Sequence, residues 1–243
     1  MEKNRGGAKH EEVLWIVTST HGDGPRLTRA VRSLLDQTDA SWRWLLIDDG
    51  SPPGQGTEWI LPCLNGQVHL IRHKDCKGKA HRLNEALSYV ESGWCLELDG
   101  DDWLFPDTVR IARGLVRSRH DAGFIYGDRL LHVPDRQGAV RPLRWMKGPA
   151  VLQHRSWRAD PYPLGPRLYK LEVLKEAGGW PEHGFGQGRF YEDIELMDIL
   201  LSRFGSAYEP NLKDCVLLRK NGITGRHRHR WKEFVRYLNE KEG

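Results

Sequence analysis

Hydrophobic runs alternate with amphipathic stretches through the first half of the chain. The β-branched run at 13–20 and the apolar run at 42–47 predict two buried strands. Between them, apolar residues recur at helical spacing over 26–38 and predict an amphipathic helix. Two further strand and helix pairs follow, with strands at 67–73 and 94–99 and helices at 79–92 and 106–118. This alternation favours a parallel, doubly wound sheet.

The second half is less regular. A helix is predicted over 190–205, with Ile194, Met197, Leu200 and Leu201 on its buried face. The region at 136–167 is rich in Pro, Arg and Trp and has weak periodicity. No linker composition separates the halves, so we predict one structural domain. Its parts are a flexible tail at 1–11, a nucleotide-sugar-binding half at 12–130 and an acceptor-binding half at 131–243.

Composition excludes some classes of protein. No run of about 18 apolar residues occurs, so no membrane-spanning helix is expected. The formal net charge of +4 is too small to indicate a nucleic-acid partner, although a local basic run occupies 225–232. The four cysteines form no CxxC pair, which favours free thiols and a cytoplasmic location. The basic run leaves peripheral membrane contact open.

Two acidic clusters directly follow predicted strands. Asp48 and Asp49 follow one strand, and Asp99, Asp101 and Asp102 follow another. In such sheets, ligands bind at the carboxyl ends of the strands, so both clusters are expected to face one crevice. The Asp99-Gly100-Asp101 segment offers oxygen ligands suited to Mg²⁺ or Mn²⁺ together with a diphosphate. Taken alone, it is more typical of a solvated turn that caps the helix predicted from Pro106.

The order of the motifs is more specific than any one of them. "VTSTH", "IDDGS", "GKAHRLN", "LELDGDD", "AGGWPE" and "YEDIEL" follow one another between residues 13 and 204. In this respect the sequence resembles the inverting glycosyltransferases of family 2. The resemblance implies an α/β chain with the GT-A fold, which is a single Rossmann-like mixed sheet flanked by helices, and a less regular acceptor-binding half.

The resemblance also implies roles for residues. The nucleotide-sugar would be bound by Thr18, Ser19, Asp48, Asp49, Lys79, Arg82, Asp99 and Glu192. A carboxylate at the "DDGS" turn can accept a hydrogen bond from uracil N3–H, and Lys79 and Arg82 can meet the nucleotide or its phosphates. Asp101, with Asp99, would hold Mn²⁺ or Mg²⁺, and Asp193 would be the catalytic base.

The chemistry of direct displacement agrees with this assignment. An acceptor hydroxyl must lose a proton, and a carboxylate at a helix N-terminus, such as Asp193, is kept ionised by the helix dipole. Acidic residues are also common in any first helical turn. The helix alone therefore favours the catalytic interpretation less than the whole set of motifs does.

The basic run contains an HxxRW sequence, His227 to Trp231, where processive members of the family carry QxxRW. Those members also need membrane helices, so a processive enzyme is not predicted. Two hypotheses remain for this segment. It is either a basic lid over the diphosphate, or a source of metal ligands through His227 or His229.

The sequence thus predicts a metal-dependent inverting glycosyltransferase, a hexosyl- or N-acetylhexosaminyltransferase. Its donor would be a UDP-sugar and its acceptor a saccharide, peptide or small molecule, with no nucleic-acid partner.

A nucleotidyltransferase acting on sugar phosphates is one alternative, although "STHGDGPR" is a poor match to its phosphate loop. No GxGxxG follows the first strand, which disfavours a dehydrogenase. A non-catalytic sugar- or nucleic-acid-binding module is the alternative from another class.

Overall fold

The computed structural model describes residues 13–24, 26–63, 66–90, 93–119, 121–155, 165–219 and 227–241. The predicted tail at 1–11 lies outside these residues. The strands are β1 (Leu14–Thr20), β2 (Trp42–Asp48), β3 (Val68–Arg72), β4 (Trp94–Glu97), β5 (Trp103–Leu104), β6 (Phe124–Pro134), β7 (Val140–Met146), β8 (Arg167–Lys170) and β9 (Ser206–Leu217). The α-helices are α1 (Leu27–Leu35), α2 (Lys79–Ala86), α3 (Thr108–Ser118), α4 (Leu171–Glu176), α5 (Glu192–Arg203) and α6 (Trp231–Glu240).

The described strands form one mixed sheet with the order β3-β2-β1-β4-β8-β6-β9-β5, and β7 pairs with β6. The strands β3, β2, β1 and β4 are parallel. The parallel order predicted from the alternating pattern ends there, because β8 runs antiparallel to both β4 and β6. The sheet places β8, from the irregular half of the sequence, directly beside the strand that carries the acidic motif.

Two apolar layers cover the two faces of the sheet, because successive side chains of a strand point to opposite faces. In β1, Val17 packs in the layer that contains residues of α2, α4, α5 and α6. Its neighbour Ile16 packs in the other layer, with residues of α1 and α3. The first layer supports the helix predicted to carry the catalytic base.

The hydrophobic pattern predicts α1 well and α5 less well. On α5, Met197 and Leu200 are buried as expected, but Ile194 and Leu201 are only half-buried. Both half-buried residues still pack against the apolar layer, so the predicted face does meet the core. The pattern does not predict that Leu196 and three acidic residues, Glu192, Glu195 and Asp198, are buried as well.

The strand β9 and the helix α6 are not predicted by the pattern. In β9 only Leu212, Asp214 and Cys215 are buried. The sequence of this strand therefore lacks the regular alternation of apolar and polar residues that predicts a strand. Helix α6 buries Phe234 and Leu238, and a mostly polar sequence surrounds them. Within the described ranges, none of the helices has both the length and the apolar character that a membrane crossing requires.

Candidate active site

The strands β1, β2 and β4 end at the same edge of the sheet. The Asp49 N–H, just past β2, donates to the carbonyl of Thr20 at the end of β1, at 2.8 Å. The Leu98 N–H, just past β4, donates to the carbonyl of Val17 at 3.0 Å. The two acidic segments therefore follow strands that both pair with β1.

A group of six charged side chains lies at this edge, and we call it the charge cluster. Its members are Lys79, Glu97, Asp99, Arg167, Glu192 and Asp193. Lys79 opens α2, and its Nζ lies 2.9 Å from Glu97 Oε1 and 2.7 Å from Asp99 Oδ1. The same nitrogen lies 3.4 Å from Glu192 Oε1, on the first turn of α5. One ammonium group thus connects the end of β4 to the start of α5.

Arg167 makes a second connection. It opens β8 directly opposite Glu97 of β4. Its Nη2 donates to Glu97 Oε1 at 3.0 Å, and its Nη1 donates to Asp193 Oδ2. The hydroxyl of Tyr169, two residues further along β8, donates to the other oxygen of Glu97 at 3.3 Å. Arg167 therefore orients the carboxylate that the sequence predicts to be the base.

The surroundings set different protonation states for the two acidic residues at the start of α5. Burial raises the pKa of Glu192 to about 7, and Lys79 offsets only part of this effect. Burial also acts on Asp193, but Arg167 and Lys79 outweigh it and hold its pKa below the ordinary value. The same two cations lower the pKa of Asp99 to about 2 against the effect of burial. Asp193 and Asp99 are therefore ionised at neutral pH.

The predicted nucleotide residues Asp48 and Asp49 are buried, and Asp48 accepts hydrogen bonds from its own loop whereas Asp49 accepts them from residues 76–82. Asp48 accepts from the Ser51 N–H at 2.9 Å and from the Thr57 hydroxyl at 3.0 Å. Asp49 accepts from the Gly78 N–H at 2.8 Å and from Arg82 Nε at 2.6 Å, with Lys77 N–H and Cys76 S–H as further donors. Asp49 thus organises the segment that leads into α2, and its contact with uracil stays a prediction.

Arg82, like Asp49, is buried and forms its hydrogen bonds within the protein. Its side chain is only 2% exposed. Besides Asp49 it donates to Glu85 Oε2 at 3.1 Å and to the carbonyl of Asp75 at 2.8 Å. Its contact with a phosphate stays a prediction, since its three nitrogens already have partners within the protein.

Thr18 and Ser19 lie near the end of β1. The Thr18 hydroxyl donates to the carbonyl of Leu98 at 2.6 Å and accepts from Trp44 Nε1 at 2.9 Å. Ser19 is half-buried on the opposite face of the strand. Thr18 therefore joins β1 to the segment after β4, and Ser19 is the more accessible of the two.

The structure separates the predicted metal ligands by their partners. Asp99 pairs with Lys79, whereas Asp101 Oδ2 lies 2.8 Å from Arg219 Nε. Burial raises the pKa of Asp101 in spite of this guanidinium. Among the residues that the structure describes, no three His, Cys, Asp or Glu side chains form a group that could hold a metal ion. The two aspartates provide the oxygen donors that Mg²⁺ and Mn²⁺ prefer.

The histidines of the basic run lie in a different environment. The ring of His227 stacks on Phe190, with the centroids 4.0 Å apart and the planes 2° from parallel. His229 is exposed, and its ring centroid lies 6.5 Å from that of His227. The stacking contact holds His227 against Phe190, in the segment before α5. It gives no support to the predicted role of His227 as a metal ligand.

Two members of the charge cluster were not predicted as functional residues. Glu97 lies in the acidic motif and has no role in the sequence-based assignment, yet its side chain is only 1% exposed and binds both cations. Arg167 lies shortly after residues 156–164, which are outside the described residues. Its only sequence signal is a charged residue at the start of a short apolar stretch.

Comparison with known proteins gives consistent results. The family model described as "Glycosyl transferase family 2" matches residues 15–174. Among curated proteins, the Escherichia coli UDP-Glc:alpha-D-GlcNAc-diphosphoundecaprenol beta-1,3-glucosyltransferase WfgD is 23% identical over 116 residues. These residues are 48% of this chain and 45% of WfgD.

Solved structures show the same fold at low sequence identity. S. aureus TarS 1–349 in complex with UDP-GlcNAc has a TM-score of 0.65 and 14% identity, covering 87% of this chain and 60% of TarS 1–349. The mannosyltransferase PcManGT from Pyrobaculum calidifontis, in complex with GDP-Man and Mn²⁺, has a TM-score of 0.62 and 16% identity. That match covers 94% of this chain and 63% of PcManGT, so the chain spans less than two thirds of each of these proteins. The predicted GT-A fold is confirmed.

Proposed function

The chain belongs to glycosyl transferase family 2, and on this basis we propose that it moves a sugar from a nucleotide sugar to an acceptor hydroxyl. The donor we propose is a UDP-sugar, carrying a hexose or an N-acetylhexosamine. The reaction is a direct displacement that inverts the anomeric configuration. Asp193 acts as the base.

One observation carries this proposal. Asp193, at the start of α5, and Asp99, after β4, are joined through Arg167 and Lys79 into one cluster at the carboxyl edge of the sheet. A base and a site for a diphosphate must lie on either side of a reacting anomeric carbon. The cluster supplies a carboxylate for the first and a carboxylate with an ammonium group for the second.

In the proposed mechanism Asp193 takes the proton of the acceptor hydroxyl as the new glycosidic bond forms. Its side chain is 25% exposed, so an acceptor has access to it. Arg167 keeps the carboxylate ionised and fixes its orientation, which lowers the loss of entropy in the reaction. The lowered pKa makes Asp193 a weaker base, and the accurate placement compensates for this.

A divalent cation, Mn²⁺ or Mg²⁺, would be held by Asp101 and Asp99. Their carboxylate oxygens suit such an ion, which completes its shell with water and phosphate oxygens. When bound, it would neutralise the negative charge that grows on the departing diphosphate. We place His227 outside this set because its ring stacks on Phe190, and we place His229 with it because His229 is exposed beside that ring.

We assign the remaining nucleotide-sugar contacts by how exposed each predicted side chain is. Lys79 is 25% exposed and is the cation we assign to the diphosphate, next to Asp99. Ser19 and Asp99 are placed nearest the nucleoside. Asp48, Asp49, Thr18 and Arg82 shape the pocket from behind, and Glu192 holds Lys79.

We propose a saccharide, a peptide or a small molecule as acceptor, and a cytoplasmic location in which peripheral membrane contact can occur. No nucleic-acid partner is proposed. The relative WfgD is named for a diphosphoundecaprenol-linked GlcNAc acceptor, which adds lipid-linked saccharides to the acceptors worth testing.

The donor is tested by thermal shift in the presence of Mn²⁺ with UDP-Glc, UDP-GlcNAc and GDP-Man. A UDP-sugar is expected to raise the melting temperature, since a ligand of the native state stabilises it. A shift with GDP-Man alone would overturn the choice of nucleotide. If a UDP-sugar raises the melting temperature equally with a chelator in place of Mn²⁺, the metal requirement is overturned.

The base is tested by Asp193→Asn, with the exposed Asp121→Asn as the matched control. We expect Asp193→Asn to keep donor binding and to lower kcat by about 10²–10⁴-fold. Asp121→Asn should leave kcat unchanged. Near-normal turnover of Asp193→Asn, or a product with retained anomeric configuration by NMR, would contradict the mechanism.

A further inference from the structure

Tyr191, the residue directly before α5, has a left-handed backbone conformation with φ 63° and ψ 10°. Bulky residues rarely adopt this left-handed conformation, because their Cβ approaches the backbone too closely. Such conformations persist only where the surrounding structure holds them, and they concentrate at functional sites. The next two residues are Glu192 and Asp193, so this strained position directs the chain into the charge cluster.

The residues at 227–241, which we call the C-terminal segment, hold Tyr191 in place. The Tyr191 hydroxyl donates to the carbonyl of His227 at 2.9 Å. Its ring stacks on Phe234 with centroids 4.8 Å apart, and the ring of Trp231 meets it edge-on at 5.6 Å. Tyr191 is only 7% exposed as a result. These contacts offset the cost of the left-handed conformation.

The same segment also holds the loop before Tyr191. The ring of Phe185 lies 5.2 Å from that of Phe234. Arg230 places its guanidinium carbon 4.7 Å from the Phe185 ring centroid and 5.2 Å from that of Phe190, within the range of a cation–π contact. In the HxxRW sequence, Arg230 thus packs against this loop and Trp231 packs against Tyr191.

A buried carboxylate on the first turn of α5 completes the connection. The side chain of Glu195 is 1% exposed. Its Oε1 accepts from the Tyr237 hydroxyl and from Lys241 Nζ, each at 2.8 Å, and its Oε2 accepts from the Phe185 N–H at 3.0 Å. The first turn of α5 therefore carries Asp193 toward the charge cluster and Glu195 toward the C-terminal segment.

We infer that Tyr191 is a positioning residue for Asp193, and that the C-terminal segment holds it in its left-handed conformation. This inference rests on the proposed role of Asp193 as the base. It assigns the HxxRW sequence to alignment of the base, a role different from a diphosphate lid or a metal site. The segment acts through Tyr191 and Glu195, and neither residue needs to touch the substrate.

Three substitutions at Tyr191 separate the ring, the hydroxyl and the backbone conformation. Tyr191→Ala removes the ring but keeps the Cβ that disfavours positive φ. Tyr191→Gly also removes the ring, but glycine adopts positive φ at no steric cost. Tyr191→Phe removes only the hydrogen bond to His227. The exposed Tyr89, whose ring meets His69 on the surface, provides Tyr89→Ala as the control.

We expect Tyr191→Ala to lower kcat by about 10–100-fold with the KM for the donor unchanged, because small displacements of a reacting group are costly. Tyr191→Gly should recover a large part of this loss, Tyr191→Phe should lose less than tenfold, and Tyr89→Ala should match the wild type. A purely structural role predicts equal losses for the Ala and Gly variants, and that result overturns the inference. Unchanged kcat in Tyr191→Ala overturns it as well.

Two further measurements keep the test decisive. If Tyr191→Ala does not fold, Tyr191→Phe and Tyr237→Phe, which each remove one hydroxyl, must still lower kcat at constant donor KM. Wild-type kcat in both overturns the inference. Asp193→Asn is measured in parallel. Full turnover in that variant refutes the base itself, whereas an inactive Asp193→Asn beside a fully active Tyr191→Ala refutes only the positioning role.

Discussion

Arg219 and Asp101 form an ion pair in which Nε of the arginine lies 2.8 Å from Oδ2 of the aspartate. The residue proposed as the main metal ligand therefore has a cation of the protein as its partner. The guanidinium is 32% exposed and also lies 3.6 Å from Asp23. A metal ion that binds Asp101 must compete with this guanidinium.

We predict that Arg219→Ala lowers the Mn²⁺ concentration for half-maximal activity by about 3–10-fold, the weight of one partly exposed ion pair. Titration of activity with Mn²⁺ at saturating donor measures this. Arg110→Ala, which removes a similar exposed pair with Asp107, is the control and should have no effect. A higher Mn²⁺ requirement in Arg219→Ala would mean that Arg219 binds the diphosphate instead.

Removal of Arg167 should destabilise the protein as well as the reaction. Arg167→Gln leaves the buried Glu97 with one cation fewer, and we expect the free energy of unfolding to fall by about 3–5 kcal/mol. Arg167→Lys keeps the charge but loses the planar fork that binds Glu97 and Asp193 together. It should cost less stability and still lower kcat.

Urea unfolding and steady-state kinetics measure the two effects of Arg167. The exposed Arg141, which pairs with a single carboxylate of Asp135, provides Arg141→Gln and Arg141→Lys as controls. These should change the free energy of unfolding by less than about 1 kcal/mol. Wild-type stability of Arg167→Gln would show that the pairs with Glu97 and Asp193 add nothing to the fold.

The parts of the fold and site that the sequence predicts are encoded by local patterns. The strands β1 and β2 are mostly apolar runs, and Asp48, Asp49, Asp99 and Asp101 come at or directly after the ends of predicted strands. Each of these features needs only a few neighbouring residues, so it is visible without the structure. The rule that strand ends share one edge then groups them.

The parts that could not be predicted depend on contacts between distant residues. Arg167 meets Glu97 across 70 positions, and the pairing exists only because β8 is inserted antiparallel beside β4. Tyr191 contacts His227, 36 positions away. Nothing in the local sequence of either residue encodes its partner. The burial of Glu192 and Glu195 on α5 was not predicted for the same reason, since their partners Lys79 and Tyr237 lie far away in the sequence.

Asp49 and Asp135 accept the same kinds of hydrogen bond but differ in how far they are buried. Buried Asp49 accepts from two backbone N–H groups and an arginine. Asp135, whose side chain is 31% exposed, accepts in the same way from Gln137, Ala139 and Arg141. We predict that Asp49→Asn lowers the free energy of unfolding by about 2–4 kcal/mol, because Arg82 loses a buried charged partner.

Asp135→Asn should lower the free energy of unfolding by less than about 1 kcal/mol, because solvent replaces what the side chain loses. Urea unfolding of both variants measures the difference. UDP binding should weaken in Asp49→Asn, whose segment leads to Lys79, and stay unchanged in Asp135→Asn. Equal losses of stability in the two variants would contradict the organising role of Asp49.

Glu192 should make stability depend on pH in a defined window. Its pKa is about 7 in the folded protein and near 4.5 ordinarily, so between these values the folded state keeps a proton that the unfolded state has released. The free energy of unfolding therefore falls as the pH rises from about 4.5 to 7. Gln is neutral throughout, so Glu192→Gln should gain stability relative to the wild type across this window, by roughly 1–3 kcal/mol.

Urea unfolding at pH 5, 6, 7 and 8 measures this gain. Contributions from other buried acids with raised pKa values, such as Asp102 and Asp214, are common to both proteins and cancel in the difference. Glu172, on the first turn of α4, is the matched control because its side chain is 71% exposed. Glu172→Gln should run parallel to the wild type at every pH. If Glu192→Gln also runs parallel, Glu192 is ionised in the folded protein throughout this range, and Lys79 then outweighs the cost of burying its charge.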